Sequence, residues 1–210
     1  MDAEAFRTWI VAVARVIDEQ RDHLTQLDAA IGDADHGINL ARGFTAVVSA
    51  LETDPPATPG AVLTLTGSTL ISKVGGASGP LYGVAFRRAG KSLGDAAEVD
   101  LAALGEALEA ALAGVQQLGA AREGDKTMVD ALAPATAAFS KAITEGASQA
   151  DALSALAEAA RAGAAATISM QALKGRASYL GPRSVGHEDP GAASTALILG
   201  ALRDSVLAGR

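Results

Sequence analysis

The chain has 210 residues, enough to bury one full core, and no cysteine, which excludes disulfides, thiolate catalysis and cysteine-ligated zinc. Its formal net charge is −7 and no basic stretch stands out, so a nucleic-acid partner is not expected. The N-terminus, MDAEAFRTWI, does not read as a signal peptide, and Gly, Ser or charge breaks the apolar runs short of a bilayer span. The expectation is a soluble, cytoplasmic protein with no membrane partner.

Phe6, Trp9, Ile10, Val13, Val16 and Ile17 recur at three- and four-residue steps, which predicts a helix over 3–26. A glycine-flanked acidic turn, GDADHGIN, leads into a second helix at 37–52. TDPPATPG is a loop, because Pro and Gly both interrupt helix, and a third helix covers 59–74. VGGASGP opens a fourth at 79–93. Leu101, Leu104, Leu108, Leu112 and Val115 mark a fifth at 100–118, and GDKTMVDAL starts a sixth at 127–145. Leu153, Leu156, Ala160 and Ala164 lie on a seventh, 149–173. Leu197, Leu202 and Val206 lie on the last, 191–208. Alternating β-branched runs are missing and alanine is abundant. The fold class is therefore all-α, a single-domain antiparallel bundle of about eight helices spanning 1–210.

The glycines gather in four polar connections: IGDADHG (31–37), KVGGASGPLYG (73–83), GAAREGDKT (119–127) and LKGRASYLGPRSVGHEDPG (173–191). If the helices run alternately up and down, these connections emerge at one end. That end carries a composite site.

Asp28, Asp33 and Asp35 fall within eight positions, with no Lys or Arg from Leu24 to Leu40. Either water solvates them as ordinary turn residues, or a cation absent from the sequence lies between them. A hard ion such as Mg²⁺ suits an all-oxygen set and is commonly shared with phosphates. His36 suits a phosphate hydrogen-bond donor or simply a helix start, and Asn39 faces the same way. In VGGASGP, helix N-terminal amides and the Ser78 hydroxyl suit phosphate oxygens, although a plain flexible turn fits as well. Asp125 and Thr127 read as caps of a helix start. Met128 offers an apolar wall to a planar ring, or belongs to the core. Arg176 and Arg183 are anion-seeking donors, while Asp189 and Gly191 precede the last helix and suit its cap.

Taken together, GDADHGIN, GGASGPLYG, GDKTMVDAL and GRASYLGPRSVGHEDPGAAS resemble, in order and spacing, the signatures of the DhaL family. These are the nucleotide-binding subunits of bacterial dihydroxyacetone kinases and the equivalent domains of fused kinases. Ala34 departs from the pattern, where glycine is common. The resemblance implies an eight-helix barrel with ADP or ATP at one end. It implies two Mg²⁺ ions held by Asp28, Asp33 and Asp35. Nucleotide contacts carry over to His36, Gly37, Ile38, Asn39, Ala77, Ser78, Gly119, Met128, Arg176, Asp189, Pro190 and Gly191. The implied activity is transfer of the γ-phosphoryl to dihydroxyacetone on a DhaK-like subunit, which also holds the catalytic base. A DhaM-like phosphohistidine protein of the phosphotransferase system re-phosphorylates ADP in place, with phosphoenolpyruvate as the ultimate donor. Two alternatives stay open: an ATP-dependent two-component kinase of dihydroxyacetone or a tetrulose, and a nucleotide-sensing module docking on a transcriptional regulator. Self-association as a homodimer is also left open.

Overall fold

The apolar stripe beginning at Phe6 forms a helix capped by Asp2, whose carboxylate accepts the Ala5 amide at 2.9 Å. The structure is a computed structural model and describes residues 1–209. Among these, nine α-helices and two 3-10 segments are found, and no strand. The helices are α1 (Ala3–Glu19), α2 (Arg21–Ile31), α3 (His36–Thr53), α4 (Pro59–Lys73), α5 (Ser78–Leu93), α6 (Leu101–Gly119), α7 (Val129–Thr144), α8 (Gln149–Ala166) and α9 (Pro190–Ala208). The 3-10 segments are Thr167–Ser169 and Arg176–Ser184.

Eight of the helices close into a ring. Each of α3 to α8 packs against the next, α8 packs on α9, and α1 fills the gap between α9 and α3. The ninth, α2, lies outside this ring, against α3, α9 and the second 3-10 segment.

Two expected helices are corrected. The span 3–26 breaks at Gln20, within the run Asp18–His23, where six consecutive polar residues give the helix no apolar anchor. The span 149–173 ends at Ala166. There the buried Thr167 hydroxyl donates to Ala164 O at 2.6 Å and accepts the Asp189 amide at 2.9 Å, a side-chain alternative to continuing the helix.

The ring encloses an aromatic cluster. Trp9 of α1 stands 5.9 Å from both Phe6 and Phe86, and Phe44 of α3 stands 6.2 Å from Phe86 of α5. All four are buried. The Trp9 indole N–H donates to Ile198 O of α9 at 3.0 Å. Where α4 crosses α5 the backbones nearly touch, and a Cβ at Gly60 would overlap the Gly94 carbonyl oxygen. Among the described helices, α9 alone is long and apolar enough to cross a bilayer by length and composition. In the fold it packs between α8 and α1 as a wall of the barrel, with Ser194, Thr195, Ile198 and Leu202 buried.

Replacing Trp9 with Ala should lower the unfolding free energy by roughly 3–5 kcal/mol, the usual cost of emptying a buried aromatic position. Trp9→Phe should cost clearly less, because it keeps most of the packed ring. Urea unfolding followed by circular dichroism measures both, since Trp9 is the sole tryptophan and fluorescence disappears with it.

Candidate functional site

The helix starts differ between the two ends of the barrel. At one end α1, α4, α6 and α8 begin on Asp2, Thr58, Asp100 and Ser148, and each of these side chains caps its own helix. At the other end α3, α5 and α7 begin without a cap from their N-cap side chains. There the starts of α3, α5, α7 and α9 face one cleft, formed by the four glycine-rich connections. Helix N-termini carry partial positive charge and outward-pointing amides, so this end favours an anion.

The acidic turn forms one wall. Asp28 is buried near the end of α2, and its Oδ2 accepts the amides of Asp35 at 2.9 Å and His36 at 3.1 Å. Asp28 therefore stabilises the start of α3, a task that Asp35 does not perform. This folds the chain back so that one carboxylate oxygen from each of Asp28, Asp33 and Asp35 lies within 4.8 Å of the others. Gly32 is required here, because a Cβ would overlap Asp28 Oδ1. Ala34 takes the left-handed conformation at φ 62°, the place where the resemblance expects glycine. The set is all oxygen and partly buried, which fits a hard divalent cation. No Lys or Arg stands near the cluster in sequence, yet the Arg176 guanidinium meets Asp33 Oδ2 at 3.0 Å. It arrives from a distant loop, so the local charge pattern does not reveal it.

Beneath the turn lies a buried polar network. His36 Nε2 is 2.8 Å from Ser194 Oγ, and Ser194 donates onward to Pro190 O at 2.9 Å. His36 Nδ1 lies 3.5 Å from Ser78 Oγ, so the ring bridges α9 and the start of α5. Burial pushes the His36 pKa down against the pull of Asp28 and Asp35. The ring stands between Ser194 and Ser78 on the cleft lining. Tyr82 OH contacts Ser194 Oγ at 2.6 Å, Thr195 Oγ1 at 2.9 Å and Gly191 O at 3.0 Å. Burial pushes its phenol up to about 12.

The α7 start forms the opposite wall. Asp125 does not cap α7 as expected; its Oδ2 accepts the Arg122 amide at 2.9 Å and closes the preceding turn. Asp130 reaches back instead, taking the amides of Gly124 at 2.5 Å and Thr127 at 2.7 Å. Thr127 Oγ1 accepts the Val129 amide at 3.2 Å. Asp189 caps α9 through Ala192 N at 2.7 Å. Burial pushes the Asp189 carboxyl up to about 7, with the Asp130 charge adding to the rise and the Ala192 amide and Lys126 opposing it.

Of the residues singled out in the sequence, Asp28, Asp33, Asp35, His36, Ala77, Ser78, Met128, Arg176, Asp189, Pro190 and Gly191 line the cleft. Gly37, Ile38, Asn39 and Gly119 do not. A Cβ at Gly37 would overlap Arg21 O, so this glycine serves the α2–α3 contact. Ile38 is exposed, and Asn39 Oδ1 accepts from Arg42 at 2.9 Å. Lys126, Tyr82 and Lys174 also line the cleft and were missed, as does Thr127, which the sequence offered only as a cap. Lys126, Thr127 and Tyr82 lie inside the quoted motifs, where the lysine between Asp125 and Thr127 was the available signal.

A family model described as the DAK2 domain matches residues 30–204. The chain belongs to the DAK2 domain family. Among DAK2-domain relatives, the chain is 41% identical to the PEP-dependent dihydroxyacetone kinase ADP-binding subunit DhaL of Escherichia coli strain K12, covering 91% of each chain. It is likewise 41% identical to the corresponding subunit of kinase 1 of Listeria innocua, covering 92% of each. A solved structure, the dihydroxyacetone kinase from C. freundii in complex with AMP-PNP and Mg²⁺, superposes with a TM-score of 0.71 at 30% identity. That match covers 95% of this DAK2 chain but spans only 33% of the C. freundii chain.

The raised Asp189 pKa favours the protonated form in the folded protein. Its contribution to stability is complete below the ordinary value of 3.8 and is lost as pH rises through about 7. Asp189→Asn keeps an oxygen for the Ala192 amide and does not titrate. Urea unfolding between pH 4 and pH 8 should therefore show wild type losing stability relative to Asp189→Asn as pH rises.

Proposed function

We propose that this chain is the ADP-binding subunit of a phosphoenolpyruvate-dependent dihydroxyacetone kinase, a single domain over 1–210 acting in the cytoplasm. The observation that carries the reading is the juxtaposition of three oxygen donors with the starts of four helices at one end of the barrel. The ADP-binding subunits named above and the AMP-PNP and Mg²⁺ of the C. freundii complex support it.

In this reading Asp28, Asp33 and Asp35 hold two Mg²⁺ ions. When bound, the ions neutralise phosphate charge, the main requirement of phosphoryl transfer. Ser78 and the amides opening α5 orient the phosphates, with Ser78 held by His36. Arg176 and Lys174 bring cationic side chains over the cleft, and Met128 and Leu81 provide apolar wall. Pro190 and Gly191 complete the rim. Asp28 Oδ2 also accepts the α3 amides, and His36 Nε2 pairs with Ser194 Oγ. In this reading, as the family resemblance implies, the base for the acceptor hydroxyl resides on the partner that presents the ketose.

The surface supports such a partner, a DhaK-like subunit, and transient docking of a DhaM-like phosphohistidine protein. Of the eight large apolar side chains exposed among the described residues, seven surround the cleft end: Ile38, Ile71, Leu118, Ile168, Leu173, Tyr179 and Val185. Tyr179 is 88% exposed. Apolar side chains gathered around a polar cleft mark an interaction surface.

Ligand bound only by the folded state adds about 2.7 kcal/mol at a hundredfold excess over Kd. At about 2–4 °C per kcal/mol for a chain of this size, EDTA should lower the Tm of the ADP-loaded protein by about 5–10 °C. Mg²⁺ with ADP should restore it; an unchanged melting curve after confirmed nucleotide removal refutes the metal reading.

A coupled assay with a DhaK-type subunit, phosphotransferase proteins and phosphoenolpyruvate separates the two surfaces. Asp33→Ala should abolish dihydroxyacetone phosphate formation by removing a charged metal ligand. Tyr179→Asp should weaken capture of the DhaK-type subunit at least tenfold while leaving ADP affinity within twofold.

A further inference from the structure

Between α8 and α9 the chain makes a long excursion over the cleft, and its middle places Lys174, Gly175 and Arg176 on the lining. Both ends of that excursion meet one side chain. Lys126 Nζ donates to Thr167 O at 2.7 Å and Met170 O at 3.2 Å on the outgoing strand of chain, and to His187 O on the returning one. The residue is 1% exposed. An ammonium has three protons to donate, and these three carbonyls use them all. Lys126 therefore has no N–H free for a phosphate and is not a catalytic group.

Three carbonyl oxygens brought this close repel one another, and burial removes the water that would satisfy them. The ammonium compensates, and the nearby Asp130 carboxylate, joined by Asp189 when ionised, opposes the cost of burying its charge. The backbone of Lys126 is strained to deliver it, with φ at 62° in the left-handed region. Its neighbour adds a main-chain tie, because Asp125 O accepts the Leu173 amide at 3.0 Å.

We propose that Lys126 is a positioning residue whose ammonium clamps both ends of the 167–187 excursion to the start of α7, and so sets where Arg176 stands over Asp33. The clamp itself is independent of the proposed function; its consequence for ADP rests on that reading.

Two variants test it. Lys126→Met keeps the length and removes the donor. Lys126→Gly removes the donor and accepts φ of 62° without strain, whereas Lys126→Met keeps the native backbone stiffness, so a loss common to both follows from the missing donor. The excursion contains trypsin sites at Lys174, Arg176 and Arg183. Limited trypsinolysis with mass mapping should show cleavage at these sites at least tenfold faster in both variants, while circular dichroism retains the helical core. In the same proteins the calorimetric Kd for ADP with Mg²⁺ should rise at least tenfold. Cleavage at the wild-type rate in either folded variant overturns the clamp. Faster cleavage with wild-type ADP affinity overturns the positioning role. Failure of wild type itself to bind ADP, with cleavage accelerated in the variants, refutes the functional reading and leaves the clamp standing.

Discussion

The closure of the ring by α1 is the constraint from which the rest follows. Trp9 buries its ring against Phe6 and Phe86 and donates its indole N–H to Ile198 O of α9, joining the first ring helix to the last. Once eight antiparallel helices are closed in this way, the starts of α3, α5, α7 and α9 must share an end. Each contributes the equivalent of about half a positive charge at its N-terminus. A chain with a formal net charge of −7 can thus build an anion-seeking cleft without a basic surface patch. The far end needs no ligand, since side chains cap all four of its helix starts.

Within the cleft, the same groups serve structure and chemistry. Asp28 anchors the α3 amides with Oδ2, which draws Asp33 and Asp35 toward it. Ser194 links His36 to Tyr82, so the acidic turn, the α5 start and the α9 start are tied through one buried network. On the other wall, Asp130 holds the 124–127 turn that aims Lys126 inward. Moving any of these supports moves the cleft, although none of Asp130, Ser194 or Tyr82 belongs to the cation cluster. The buried polar groups are fully partnered: among the described residues no buried side-chain nitrogen or oxygen lacks a hydrogen bond.

Much of this was legible in the residues themselves. Apolar spacing located six of the eight ring helices to within a few positions and the starts of the other two, α1 and α8, because helical periodicity is a local signal repeated over several turns. The glycine-rich connections and the three aspartates were legible for a similar reason, since turn chemistry and charge density act over a few neighbours. The break at Gln20 was not, because continuous helical propensity masks a polar run that no other helix covers. Only the tertiary structure decided the Arg176–Asp33 pair and the Lys126 clamp, whose partners lie 41 to 61 residues away in the second case. It likewise decided which carboxylate caps which turn: Asp125 and Asp130 are equivalent in composition, and only the fold around them makes one a turn closure and the other a brace for α7. Short-range pattern determined where helices and reactive groups stand along the chain. Which groups meet was decided by closing the ring, because pairings between distant residues depend on packing geometry that no local spacing encodes.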